Sequence, residues 1–254
     1  QVFVDFNLGN SYLTGVSITD ELMGRLPRTL TLGFISVLVA VVIGIPLGVN
    51  AAVHQGTTGD WLPMSIALIG ISMPGFWLAL MLVLVFSVQL GWLPPYGMGG
   101  IEFWVLPILS GSFHGIANLA RQTRSSMLEV LSSDYVTMAR AKGMPENSVI
   151  YKHALPNALI PIITVLGGTL ARIFGTGMLT ETIFSIPGVG YYMVKAVNNR
   201  DYPAVQGSVL LLAIVFSVVM LLTDLVMAAV DPRIKAQFAS RGGAKKKKEA
   251  KENG

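Results

Sequence analysis

The sequence predicts an all-α, polytopic transmembrane helix bundle of about five spans. Three observations predict it: a composition that is 52% hydrophobic and 13% charged with mean hydropathy +0.62, five long apolar runs, and polar, basic stretches set between them. A spanning helix needs roughly 20 mainly apolar residues at about 1.5 Å each. Residues 29–53, 63–90, 157–180 and 204–230 meet this requirement, and 103–120 meets it less well because it holds His114, Asn118 and several glycines.

Each run carries its own marks. Gly44, Pro46 and Gly48 lie in the first, Gly70, Pro74 and Gly75 in the second, and Gly167, Gly168, Gly175 and Gly177 in the fourth. Small residues let helices approach closely, and broken helices are tolerated where they are buried or line a cavity. Ordinary bundle packing and a lined substrate path both fit this pattern. The segment from Glu181 to Tyr202 is too polar to span; a plain loop and a re-entrant or surface-lying element both suit it. Arg172, about nine residues before Glu181, either snorkels or pairs locally, or faces a translocation path as a cation that meets an anionic group on the cargo. Asp224, near the end of the last run, suits packing or capping better than proton relay.

Orientation follows from Lys and Arg in short loops, which gather on the cytosolic side. Arg121, Arg124, Arg140, Lys142 and Lys152 follow the third run, and eight Lys or Arg follow the last, so both regions are expected in the cytosol. The segment 1–28 is then extracytoplasmic, and a further span is expected before Gln1. From Asp231 onward, eight basic and three acidic residues give +5, leaving −1 of the total +4 for the rest. This concentration argues against nucleic acid as a partner. The tail 231–254 reads as disordered and solvated, with attraction to anionic lipid as the alternative.

The most informative stretch is Asp134 to Pro156, a polar island between apolar runs. Asp134 to Lys142 suits a helix that places Ala139 and Gly143 on one face. Pro145 suits the first position of a second helix of roughly ten residues, Glu146 sits favourably in its first turn, and Pro156 discourages helix at Leu155. By charge and periodicity alone, such a unit either lies on anionic lipid or meets a protein.

No GxxxxGK[ST] phosphate loop and no HExxH motif occur, the three histidines stand apart, and cysteine is missing. No catalytic residues, cofactor or metal are expected in the chain. An ion-driven secondary transporter would carry internal repeats or several intramembrane acids, which this sequence does not offer, and a scaffold without transport is a further alternative.

The spacing from Ala139 to Gly143 to Leu155-Pro156 resembles the coupling loop of ABC importer permeases, with Thr137, Met138 and His153 departing from the consensus. The local run DY-x-x-x-ARAKG, together with NLGNSYLTG, RLPRTLTLG, ETIFSIPGVG, RDYPAVQG and DPRIK, is similar to the B-type subunit of oligopeptide, dipeptide and nickel importers. The resemblance implies the type I ABC importer permease fold with six spans, and import of dipeptide, oligopeptide, glutathione or nickel chelate. It implies four kinds of partner: a second related permease, two ATP-binding cassette ATPases, an extracytoplasmic substrate-binding protein and the bilayer of a bacterial or archaeal inner membrane. It assigns ATPase coupling to the loop that holds Asp134, Tyr135, Ala139, Arg140, Ala141, Lys142, Gly143, Leu155 and Pro156. Gly143→Trp is expected to abolish uptake by blocking close docking.

Overall fold

The computed structural model describes residues 7–230; the side chains of residues 160, 164, 171–176 and 226–230 are not described. The basic tail therefore lies outside the described residues, as does the side chain of Arg172. The described residues form helices α1 (Ile18–Val53), α2 (Thr58–Ser72), α3 (Gly75–Leu82), α4 (Glu102–Leu131), α5 (Asp134–Ala141), α6 (Glu146–Ser148), α7 (Leu155–Ile183), α8 (Val189–Asn198) and α9 (Tyr202–Val230). Two π-helical stretches, Val83–Gln89 and Val149–Ala154, continue α3 and α6. Three of the helices are long and apolar enough to cross a membrane, and the number rises to five if two bent helix pairs each count as one span.

The first span begins earlier than its apolar run. Ser17 caps α1 by accepting from the Asp20 N–H at 3.4 Å, and Asp20 and Glu21 occupy the first turn, where negative charge is favoured. At 36 residues α1 is about 54 Å long, well beyond a hydrocarbon core of about 30 Å, and residues 18–28 are already helical. α1 and α4 pack closely. A Cβ at Gly44 would lie 2.9 Å from the Ile116 carbonyl, and one at Gly48 would run into the Ala120 carbonyl and Thr123. These glycines, one turn apart, are what lets the backbones meet.

The run 63–90 is not one straight span. Met73 and Pro74 are extended, and α2 and α3 meet at 108°. Proline disfavours helix at the preceding residue and supplies no N–H, so the ladder stops there. His114 of α4 donates from Nε2 to the Met73 carbonyl at 2.9 Å and satisfies a group the break leaves open.

At the end of the bundle remote from α5, the segment 181–202 holds α8, packed on α1, α7 and α9. Glu181, still within α7 and only 1% exposed, organises this end. Its carboxylate accepts from Thr29 Oγ1 at 2.6 Å and from the Tyr191 N–H at 2.9 Å, while Thr29 Oγ1 accepts from the Val189 N–H at 2.9 Å. One buried acid thus ties α1, α7 and the start of α8. Asp201 accepts from Ser11 Oγ at 2.5 Å and from the Tyr12 N–H at 3.3 Å, anchoring the chain before α1 to the α8–α9 turn. At the opposite end, Arg124 of α4 grips Asp60 of α2 with two bonds of 2.5 and 2.7 Å.

Candidate functional site

The polar island folds as a helical hairpin at one end of the bundle. α5 ends in a complete Schellman motif: the Gly143 N–H donates to the Arg140 carbonyl at 2.9 Å and the Met144 N–H to the Ala139 carbonyl at 3.4 Å. Gly143 takes φ +75°, the left-handed geometry this motif requires. It stands beyond the helix, so Ala139 and Gly143 do not share a helix face as their spacing suggests. Nothing in the chain lies within 4 Å of a Cβ built on Gly143.

Pro145 precedes α6 as its cap, and the π-helical stretch carries the chain into α7. Leu155 is helical, with φ −57° and ψ −45°, and Pro156 fits the first turn of α7, so the chain does not break at Leu155-Pro156. The bend comes later: Glu146–Leu159 and Pro161–Leu170 meet at 50°, where Pro161 removes a backbone donor.

Across the hairpin, Arg140 Nη2 donates to Glu146 Oε1 at 2.7 Å and Nε reaches both carboxylate oxygens at 3.3 and 3.2 Å. The hydrogen bond from Arg140 holds the Glu146 carboxyl below the ordinary carboxylate range, and the same pairing pushes the guanidinium up. The charge of Arg140 is therefore partly offset within the loop, and Lys142 and Lys152 stand exposed beside it.

The hairpin has two distinct sides. Val136, Ala139, Val149, Ile150 and Ala154 are buried in one cluster with Val49 and Ala52 of α1 and Leu119 and Met127 of α4. Outward stand Tyr135, Met138 and Tyr151, exposed at 45%, 60% and 59%, beside the two lysines. Of the residues singled out from sequence, Asp134, Tyr135, Arg140, Ala141, Lys142, Gly143 and Pro156 are exposed, Leu155 is half-buried and Ala139 faces the protein's own core. Met138 and Tyr151 were not signalled as site residues. Tyr135 and Met138, three apart on a helix otherwise polar on that side, were the available sign.

The arrangement is a bundle of helices long and apolar enough to cross a membrane, with a polar hairpin packed at one end. Residues 44–236 match the family of binding-protein-dependent transport system inner membrane components, and the chain belongs to that family as a permease subunit. The dipeptide transport system permease protein DppB of Alkalihalophilus pseudofirmus is 40% identical over 257 residues, covering 90% of this chain and 77% of that protein. The glutathione transport system permease protein GsiC of Escherichia coli K12 is 39% identical over 232 residues, covering 91% and 76%. Among solved structures, an inward-facing MetNI methionine ABC transporter superposes with a TM-score of 0.71 at 21% identity, covering 83% of this chain and 96% of its counterpart. The fold is that of type I ABC importer permeases, as expected from sequence.

Proposed function

We propose that this chain is one of two related permeases in an ATP-driven importer of peptides or of a small peptide-like solute such as glutathione. Two ATP-binding cassette ATPases supply the energy. In this reading the α5–α6 hairpin is cytosolic and is gripped by one of them, while an extracytoplasmic binding protein delivers cargo at the α8 end. The observation that carries it is the hairpin's division of surface. Its Val136, Ala139, Val149, Ile150 and Ala154 side is packed against α1 and α4, and outward stand Tyr135, Met138 and Tyr151, of types enriched at protein interfaces, beside the exposed Lys142 and Lys152. The orientation is supported by the Lys and Arg excess near the hairpin and in the tail.

The remote end supports delivery of cargo there. A cavity of about 170 Å³ opens between the segment before α1, α1 itself and α8, with Lys195 and Asn199 at its edge. Arg25, ion-paired to Glu21, lies 4.9 Å from the centre of the Tyr192 ring and stiffens its wall. Cargo identity rests on the names of the relatives, which span dipeptide and glutathione.

Co-expression with the neighbouring permease, ATPase and binding-protein genes tests this reading. The complex should co-purify and, in proteoliposomes, accumulate a labelled dipeptide or glutathione only with ATP and loaded binding protein. Uptake that ran on an ion gradient without ATP, or a chain that purified alone and transported, would overturn it.

A further inference from the structure

Within the bundle, α4 carries Ser110, His114 and Asn118 at four-residue intervals, which align on one face. Polar groups on a membrane helix are costly unless they meet protein or water. These three meet a cavity of about 160 Å³ between α3, α4 and α7, lined also by Thr169 and Thr180. With about 30 Å³ per water, that volume holds about five waters, or one amide unit with a small side chain.

The hydrogen-bonding capacity of the lining is specific. Ser110 Oγ donates to the Pro107 carbonyl at 3.0 Å and Thr169 Oγ1 to the Val165 carbonyl at 3.0 Å, leaving both with lone pairs only. His114 Nε2 is committed to the Met73 carbonyl, so in the neutral ring the remaining nitrogen, Nδ1, is an acceptor. Asn118 and Thr180 have no side-chain partner among the described residues. The Asn118 amide can donate and accept at once. Among the described residues, no Asp, Glu, Lys or Arg lines the cavity.

From this we infer that the α3–α4–α7 cavity is a transit site for the backbone amide of the cargo, with Asn118 pairing its N–H and C=O and His114 supplying an acceptor. A neutral group that both donates and accepts, as a peptide amide does, matches this lining. The inference rests on the reading of the cargo as peptide, and it places recognition on the part that all peptides share.

The test uses the complete transporter with its binding protein in proteoliposomes, the dipeptide alanyl-alanine as probe, and a chain whose lack of native cysteine makes an introduced thiol unique within it. Asn118→Cys should react with a membrane-impermeant thiosulfonate, and loaded binding protein plus ATP should slow that reaction. Asn118→Ala should lower dipeptide delivered per ATP hydrolysed by about tenfold, the scale of one neutral hydrogen bond, with binding-protein-stimulated hydrolysis nearly unchanged. His114→Gln, which keeps a donor for the Met73 carbonyl, should give a milder loss of the same kind. A thiol at 118 that never reacts in the assembled transporter, or an unchanged ratio of transport to hydrolysis in Asn118→Ala, would overturn the site while leaving peptide import intact. Wild-type proteoliposomes that import a non-peptide solute but no dipeptide would overturn both readings together.

Discussion

At Gly143 the chain turns with φ +75°, and since an added Cβ would meet no atom of this chain, the demand for glycine comes from backbone conformation. The left-handed region costs an ordinary residue about 1–2 kcal/mol, and asparagine less because it tolerates that geometry. Gly143→Asn is therefore expected to retain most of the uptake, Gly143→Val to lose most of it, and Gly143→Trp to fail through the same strained turn, with its bulk at the proposed docking face adding to the loss. Parallel uptake assays decide this, and equal loss for Asn and Val would contradict it. The glycine itself was legible in the sequence, because a basic helix followed by Gly and then Pro is a stop signal with a physical cause. The inward orientation of Ala139 was not. Periodicity shows which side chains share a face, but not whether that face meets a partner or the protein's own core.

At the scale of the element, the hairpin is closed by Arg140 and Glu146, and its acid response has a definite sign. Because the Glu146 carboxyl is held below its ordinary value, mainly by the hydrogen bond from Arg140, the pair's contribution is fully present above the unfolded carboxylate value of about 4.3 and is lost as pH falls through the lowered one. Distances between spin labels on α5 and α6 should stay constant from about pH 5 to 8 and widen only below about pH 4, and Glu146→Gln should remove that step. Widening near neutrality would contradict the pairing. Other elements were read less well, for identifiable reasons. The 63–90 run is apolar throughout, so neither composition nor period marks the 108° turn, although Met73-Pro74 supplied the local cause. The start of α1 was missed because Asp20, Glu21, Arg25 and Arg28 look like loop to a hydropathy window, while the cap at Ser17 and the acidic first turn were there to be read.

Across the whole molecule, α7 connects the two ends. It grows out of the hairpin through the π-helical stretch Val149–Ala154 and carries Glu181 in its last turn, which holds α8 and α1 through Thr29, Val189 and Tyr191. The hairpin is also fixed to α1 and α4 through the Val136 and Ile150 cluster, so a push on its outer face reaches the bundle instead of being absorbed by a loose loop. Fold class and the position of the hairpin were legible because apolar length and charge placement are dictated by the bilayer. The buried Glu181 network was not, since Thr29 lies more than 150 residues from Glu181 and Val189 in sequence and only the fold brings them together. The proposed grip of an ATPase on the exposed face of the hairpin can be tested directly. The most direct measurement is disulfide cross-linking in the assembled transporter, with a single cysteine at Tyr151 or Met138 paired with cysteines in the ATPase surface. Expected are efficient cross-links at both positions, none from a cysteine at the buried Val136, and transport that stops on cross-linking and returns on reduction. Cross-links that failed at Tyr151 and Met138, with those thiols reacting freely in the intact, transporting complex, would contradict it.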